Sequence, residues 1–149
     1  MKVFDWPPVW LLAALGLVWG MDRAMPVSLF GAAGDWVGGV LILAGLGLMA
    51  LAVAQMRLAR TTFIPRRDPR ALVTGGVFAF SRNPIYLGDV LVLTGAVLWW
   101  DVPLALPVVL GFMAIIQARF ILGEEARLRA HFGPEFDEWA GRTPRWVGI

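Results

Sequence analysis

The sequence contains no cysteine and a single histidine, His131, among its 149 residues. Without cysteine the chain forms no disulfide, holds no thiolate-bound metal and uses no cysteine nucleophile. One histidine in a charged tail leaves no Ser-His-Asp set, and we expect it at the surface. No glycine-rich loop follows a strand pattern, which excludes a Rossmann or P-loop site, and no cluster predicts a metal site. Any enzymatic activity must therefore rest on positioning and electrostatics.

Charge is also scarce, since charged residues make up 16% of the chain and hydrophobic residues 58%. Soluble domains carry about a quarter charged residues. The charges here are concentrated in two stretches and almost absent elsewhere, which is typical of a membrane protein. The pI near 9.9 could suggest nucleic acid. The arginines, however, flank apolar segments and form no continuous stripe, so we predict no nucleic-acid partner.

Four apolar segments cover about residues 6–21, 36–56, 84–100 and 102–122. A membrane span needs about 20 residues, with about 17 as the short limit. The second and fourth segments qualify easily, the third is marginal and the first is shorter still. We predict an all-α integral membrane protein, a single domain over residues 1–149 with about four transmembrane helices. Three spans, with the first segment lying on the membrane surface, is the alternative.

The arginines predict the orientation of these spans. The first connection has only Arg23 and the third, around Asp101, has none. By the positive-inside rule, residues 57–83 and 123–149 face the cytoplasm of a bacterial-type inner (plasma) membrane. Both termini are then cytoplasmic, consistent with Lys2. The arginines that carry this inference are Arg57, Arg60, Arg66, Arg67, Arg70 and Arg82 between the second and third segments, and Arg119, Arg127, Arg129, Arg142 and Arg145 from the last turns of the fourth segment onward.

Glycine and proline punctuate the chain between and within these segments. Pro65, Pro69 and the pair Gly75-Gly76 break the 57–83 connection into short pieces. The tail from Glu124 to Trp139 predicts a charged amphipathic helix, with a break at Gly133-Pro134. Two GxxxG pairs, Gly16 with Gly20 and Gly34 with Gly38, are candidate helix-packing faces.

Polar residues converge at the start of the third segment and the end of the fourth. On a helix, spacings of three and four place side chains on one face. The first such set is Arg82, Tyr86 and Asp89, and the second is Gln117, Ile121, Glu124 and Leu128.

Structural explanations exist for each of these residues. Asn83-Pro84 is an ordinary helix start, with Asn83 as the N-cap. Arg82 could simply extend its side chain to lipid phosphate. Glu124 and Glu125 could simply form a solvated turn. Asp89 could pair with Arg119. Each explanation is open at this level.

Five short pieces of the chain, in order over about its last 90 residues, together resemble the isoprenylcysteine carboxyl methyltransferase and phospholipid methyltransferase superfamily. That resemblance implies an integral membrane enzyme that uses S-adenosyl-L-methionine at the cytosolic face, with a lipophilic substrate that enters from the bilayer. The pieces are Leu72-Val73-Thr74-Gly75-Gly76-Val77-Phe78, Ser81-Arg82-Asn83-Pro84-Ile85-Tyr86-Leu87-Gly88, Glu124-Glu125-Ala126-Arg127-Leu128, Phe132-Gly133-Pro134-Glu135-Phe136 and Pro144-Arg145-Trp146.

The superfamily's core motif is Arg-His-Pro-x-Tyr followed later by Glu-Glu, and here Asn83 replaces the histidine. This substitution resembles the phospholipid-methyltransferase branch. Phe136 and Trp139 stand where tyrosines are common. The resemblance implies Arg82, Tyr86 and Glu125 as catalytic residues. It implies a cofactor site formed by Leu72, Gly76, Val77, Arg82, Asn83, Pro84, Tyr86, Glu124 and Glu125.

Methyl transfer fits these residue types because an in-line displacement needs alignment more than acid–base groups. The expected acceptor is lipophilic: a phospholipid amine or a prenylcysteine-like carboxylate. Two other functions are alternatives: a membrane reductase of related fold that uses NADPH, and a non-catalytic membrane protein that keeps the fold.

Overall fold

The computed structural model describes residues 6–62, 64 and 67–148. Within this part the fold is all-helical and contains no strand, as predicted. The predictions that involve Lys2, Pro65 and Arg66 concern residues outside it. The helices are α1 (Pro7–Ala24), α2 (Gly31–Leu58), α3 (Pro84–Trp99), α4 (Leu106–Ile116), α5 (Leu122–Phe132) and α6 (Pro134–Arg142).

Helices α4 and α5 belong to one continuous rod. A 3-10 turn, Pro103–Ala105, precedes α4, and a π-helical segment, Gln117–Ile121, joins α4 to α5. The rod ends where Gly133 adopts a φ of 54°, and Pro134 begins α6. This confirms the predicted break at Gly133-Pro134.

Within the described residues, two helices are long and apolar enough to cross a membrane, Gly31–Leu58 and Pro103–Phe132, and α3 is a shorter apolar helix. Only 17% of the apolar window in Gly31–Leu58 is buried inside the protein. Its outward side chains include Trp36 and Leu43, which are 79% and 71% exposed. An apolar surface of that extent suits lipid rather than water. The count of four spans stays a prediction.

Glycines let α2 and α3 approach closely. A Cβ added at Gly38 would lie 2.6 Å from the carbonyl oxygen of Gly95, and one added at Gly95 would lie 2.6 Å from that of Gly38. The Gly34–Gly38 pair is therefore a packing face. Gly16 and Gly20 have no atom within 4 Å of an added Cβ, so that pair makes no close helix contact here.

Helix α3 is the central element, because it packs against α1, α2 and α4. Its inward side chains Leu93 and Val97 are fully buried, as is Ile116 from α4. The packing brings the start of α1, the end of α2 and the start of α3 to one end of the bundle, together with α5 and α6. The candidate site lies at that end.

Asp101 links two connections between helices at the opposite end of the bundle. Its carboxylate accepts backbone N–H bonds from Leu29 and Phe30, both at 2.8 Å, and from Gly31 at 3.0 Å. These bonds satisfy amide groups at the start of α2 that have no partner within the helix. They also tie the α1–α2 connection to the α3–α4 connection, which places both at the same end of the molecule.

Candidate active site

The site begins at the first turn of α3. Pro84 occupies the first helical position, where its missing N–H costs nothing. Asn83 is the N-cap residue of α3, as predicted, but its side chain makes no cap bond. Its Nδ2 instead donates to the carbonyl oxygen of Arg145 at 3.0 Å.

The C-terminal segment after α6 is held against this turn by further bonds. The backbone N–H of Arg82 donates to the carbonyl oxygen of Pro144 at 2.9 Å. The Ser81 hydroxyl donates to the carbonyl oxygen of Arg145 at 3.2 Å and accepts the Asn83 N–H at 3.1 Å. Pro144 and Arg145 are thus part of the framework that shapes the motif.

Glu125 is shared by two arginines. Arg145 donates to both of its carboxylate oxygens, from Nε to Oε1 at 3.0 Å and from Nη2 to Oε2 at 2.8 Å. Arg82 makes a looser ion pair, with Nη2 at 3.5 Å from Oε1. The hydrogen bond to Glu125 raises the pKa of Arg145, whereas burial lowers the pKa of Arg82. Two guanidinium groups and one carboxylate leave this cluster with one positive charge in excess.

Glu124 has a different partner from its neighbour. The Tyr86 hydroxyl donates to its Oε1 at 2.7 Å, which links α3 to α5. Asp89 lies one turn further along α3 and is 5% exposed. It has no hydrogen bond or ion pair within the described residues, and the Arg119 guanidinium lies 5.2 Å from the Trp10 ring centroid. The structure therefore does not support an Asp89–Arg119 pair.

These side chains form the polar end of a cavity of about 300 Å³. That volume is at the lower end of the range typical of small-ligand sites, which are mostly apolar with a few polar groups. The polar lining includes Arg82, Tyr86, Asp89, Glu124 and Glu125. The apolar lining includes Trp6, Pro7, Met49, Val53, Met56, Leu72, Phe78, Leu128, Phe136 and Trp139.

The structure brings most of the expected cofactor-site residues to this cavity, but not all of them. Gly76 and Val77 are absent from its lining and contact Gln55 of α2 instead. The N–H of Val77 donates to Gln55 Oε1 at 3.2 Å. Gly76 has a φ of 58°, and an added Cβ would collide with the Gln55 amide. The expected residues in the lining are Leu72, Arg82, Asn83, Pro84, Tyr86, Glu124 and Glu125.

The face proposed for the fourth segment is interrupted. Glu124 and Leu128 line the cavity, but Gln117 does not, because the π-helical segment shifts the register between them. The Gln117 Oε1 accepts the indole N–H of Trp146 at 2.9 Å. Spacing alone could not reveal this bond, since nothing local marks the π-helical turn.

A second, more polar cavity of about 440 Å³ shares the Arg82–Glu125 pair with the first cavity. Arg82 and Glu125 line both cavities, whereas Arg145 lines only this one and Glu124 only the first. No group of three or more His, Cys, Asp or Glu that could hold a metal ion occurs within the described ranges.

Fold and site together define an all-helical membrane protein with an apolar cavity that ends in arginine, tyrosine and carboxylates. The model of the phospholipid methyltransferase family matches residues 34–135, and the chain belongs to this family. The superfamily resemblance drawn from the motifs is thereby confirmed.

One curated relative is the cobalt-zinc-cadmium resistance protein CzcN of Cupriavidus metallidurans, 32% identical over 112 residues. The match covers 74% of this chain and 50% of that protein, so the chain spans about half the length of this relative. No solved structure is significantly similar to the chain.

Proposed function

We propose that the protein transfers a methyl group from S-adenosyl-L-methionine to a lipophilic acceptor at the cytoplasmic membrane face. The observation that carries the proposal is the cavity that joins the Arg82–Tyr86 motif to the Glu124–Glu125 pair. Membership of the phospholipid methyltransferase family supports the same reaction class. When bound, the cofactor supplies an electrophilic methyl group on a sulfonium.

The residues present fit such a cofactor. Arg82 Nε is buried and has no hydrogen-bond partner among the described residues, which is costly unless a ligand supplies an acceptor. A carboxylate at the amino acid end of the cofactor would be that acceptor. Glu124 and Asp89 place carboxyl groups on the cavity side, and Leu72 and Phe78 offer apolar surface for the adenosine.

Positioning is the contribution that these residues make to the reaction. The Tyr86–Glu124 bond fixes α3 against α5, and the bond from the Arg82 N–H to the Pro144 carbonyl oxygen fixes the backbone of Arg82. A rigid polar end of this kind aligns the acceptor with the methyl group. In this proposal Arg82, Tyr86 and Glu125 keep the catalytic roles implied by the motif.

Binding of S-adenosylhomocysteine to the purified protein in detergent, measured by titration calorimetry, tests the cofactor. Saturable binding is expected, and Arg82→Ala should weaken it by about 1–3 kcal/mol, the usual cost of losing a hydrogen bond to a charged group. Arg142→Ala, on the exposed side of α6, is the matched control and should bind normally. Binding of NADPH with no binding of S-adenosylhomocysteine would instead support the reductase alternative.

The acceptor is proposed to enter from the bilayer. Trp6 and Pro7 of the α1 start, and Met49 and Val53 of α2, line the apolar part of the cavity. An acyl or prenyl chain suits that lining, whether its head group is a phospholipid amine or a prenylcysteine-like carboxylate.

Lateral entry is tested by methylation of acceptors that share a head group and differ in chain length. Activity should rise with the apolar tail, because each buried CH₂ contributes about 0.8 kcal/mol to membrane partitioning. Equal turnover of an acceptor without a tail, at the same bulk concentration, would refute lateral entry and leave methyl transfer standing.

A further inference from the structure

The carboxylate of Glu125 is divided unequally between its two arginines. Arg145 approaches from the second cavity and engages both oxygens in a bidentate pair, at 3.0 and 2.8 Å. Arg82 approaches one oxygen only, at 3.5 Å. Its side chain is 13% exposed, and its Nε has no acceptor among the residues described.

This division matters because a bidentate guanidinium engages both oxygens of the carboxylate in two parallel N–H···O bonds. With Arg145 in that position, Arg82 does not form the bidentate pair that would neutralise its charge. The outcome is a buried cation that borders the apolar cavity and still has donor capacity. Without Arg145, Arg82 would be the nearest cation to Glu125 and would take the bidentate place itself.

We propose that Arg145 is a positioning residue that occupies Glu125 and thereby keeps Arg82 available for a ligand carboxylate. The inference rests on the proposed function, in which that carboxylate belongs to the amino acid end of the cofactor. Arg145 does not line the first cavity, so it acts on the ligand only through Glu125 and Arg82.

The backbone of the same segment supports this role. The Arg145 carbonyl oxygen accepts bonds from Ser81 and Asn83, and the Pro144 carbonyl oxygen accepts the Arg82 N–H. The main chain thus fixes the turn that carries Arg82, while the side chain fixes the counter-ion of Arg82. A substitution that changes only the side chain should leave the first of these functions intact.

The test is Arg145→Gln, which removes the charge and keeps the backbone bonds. Two ligands are titrated in detergent: S-adenosylhomocysteine, which carries the carboxylate, and methylthioadenosine, a nucleoside thioether that lacks it. The variant should bind S-adenosylhomocysteine about tenfold or more weakly, the order expected for one charge-assisted bond. Its affinity for methylthioadenosine should stay that of the wild type. Arg142→Gln, whose ion pair is exposed, should bind both ligands normally.

A second variant separates positioning from a general loss of structure. Adding Glu125→Gln to Arg145→Gln removes the competing carboxylate, which should free Arg82 and recover part of the affinity for S-adenosylhomocysteine. No recovery, or an equal loss for both ligands in Arg145→Gln, would overturn the inference. So would normal binding of S-adenosylhomocysteine by Arg145→Gln, and that outcome would leave the proposed function intact. A wild-type protein that binds neither ligand would refute the proposed function and the inference with it.

Discussion

Glu124 and Glu125 are neighbours in the chain but have separate partners in the fold. Glu124 faces the first cavity and accepts the Tyr86 hydroxyl. Glu125 is 7% exposed and forms ion pairs with Arg82 and Arg145. Both carboxylates line the first cavity. Glu125, with two cationic partners, has a stabilising role in addition to its place at the cavity, whereas Glu124 is placed mainly to contact a ligand.

Glutamine substitutions should separate these two roles in a thermal unfolding experiment. Glu125→Gln leaves two partly buried guanidinium groups without a counter-ion and should lower the free energy of unfolding by about 1–3 kcal/mol. Glu124→Gln keeps an oxygen that can accept the Tyr86 hydroxyl and should cost less. Glu138→Gln, in an exposed ion pair, is the control and should have almost no effect. Equal melting temperatures for the Glu124 and Glu125 variants would contradict this assignment.

At the scale of elements, two features stabilise the bundle: the Asp101 carboxylate at one end and the close glycine contact between α2 and α3. The N–H bonds from Phe30 and then Leu29 are the main reason that the pKa of Asp101 lies below its ordinary value of 3.8. A carboxyl whose pKa is lower in the folded state stabilises the fold above the unfolded pKa. That contribution is lost as the pH falls through the folded pKa.

Asp101→Asn should therefore lower the melting temperature in detergent at neutral pH. Asn tolerates the positive φ of 54° at this position, so the change tests the carboxylate rather than the backbone. As the pH falls from about 3.8 through the lower folded pKa, the wild type also loses the charge, and the gap between the two melting temperatures should narrow. A gap of constant size from neutral to acid pH would show that the charge makes no contribution.

The glycine contact gives a second prediction at this scale. Gly95→Ala would place a methyl group 2.6 Å from the Gly38 carbonyl oxygen, so α2 and α3 must separate. Such overpacking costs about 1–3 kcal/mol of stability. Gly111→Ala in α4 meets no atom within 4 Å and is the matched control, neutral or slightly stabilising. If both variants unfold at the wild-type temperature, the close contact is not a source of stability.

At the scale of the whole molecule, the helix packing places the connections between helices at two opposite ends of the bundle. Asp101 joins the α1–α2 and α3–α4 connections at one end. The start of α1, the 61–73 stretch and α6 contribute to the cavity at the other. The arginine distribution predicts that the cavity end faces the cytoplasm. We therefore predict four crossings with cytoplasmic termini, which agrees with the packing of the described helices.

The absence of cysteine makes this topology simple to measure. Single cysteines at Leu29 and Leu104 should react with an impermeant thiol reagent added outside intact cells. Cysteines at Asp68 and Glu138 should react only after the membrane is opened. A cysteine at Lys2 should also react only after the membrane is opened, and its reaction from outside would mean that the first segment does not cross and that the three-span alternative is right.

The sequence by itself determined the helical class, the extent of the apolar segments and the family. Long apolar runs that begin or end at arginine and tryptophan form helices in a membrane. The reason is that lipid offers no hydrogen-bond partner to backbone groups, so these groups must bond within the helix. Most of the cofactor-site residues expected from the motifs line the cavity, among them Arg82, Tyr86 and Glu124.

Only the tertiary structure decided which of these residues meet. The bond between Asn83 and the Arg145 carbonyl, the unequal sharing of Glu125 and the Asp101 bonds to the α2 start join residues 20 to 72 positions apart. No local spacing encodes such contacts, because they depend on how whole helices pack. The π-helical turn at Gln117–Ile121 likewise changed which side chains share a face. The chain specified which residues carry charge, and the packing specified the partner of each charge.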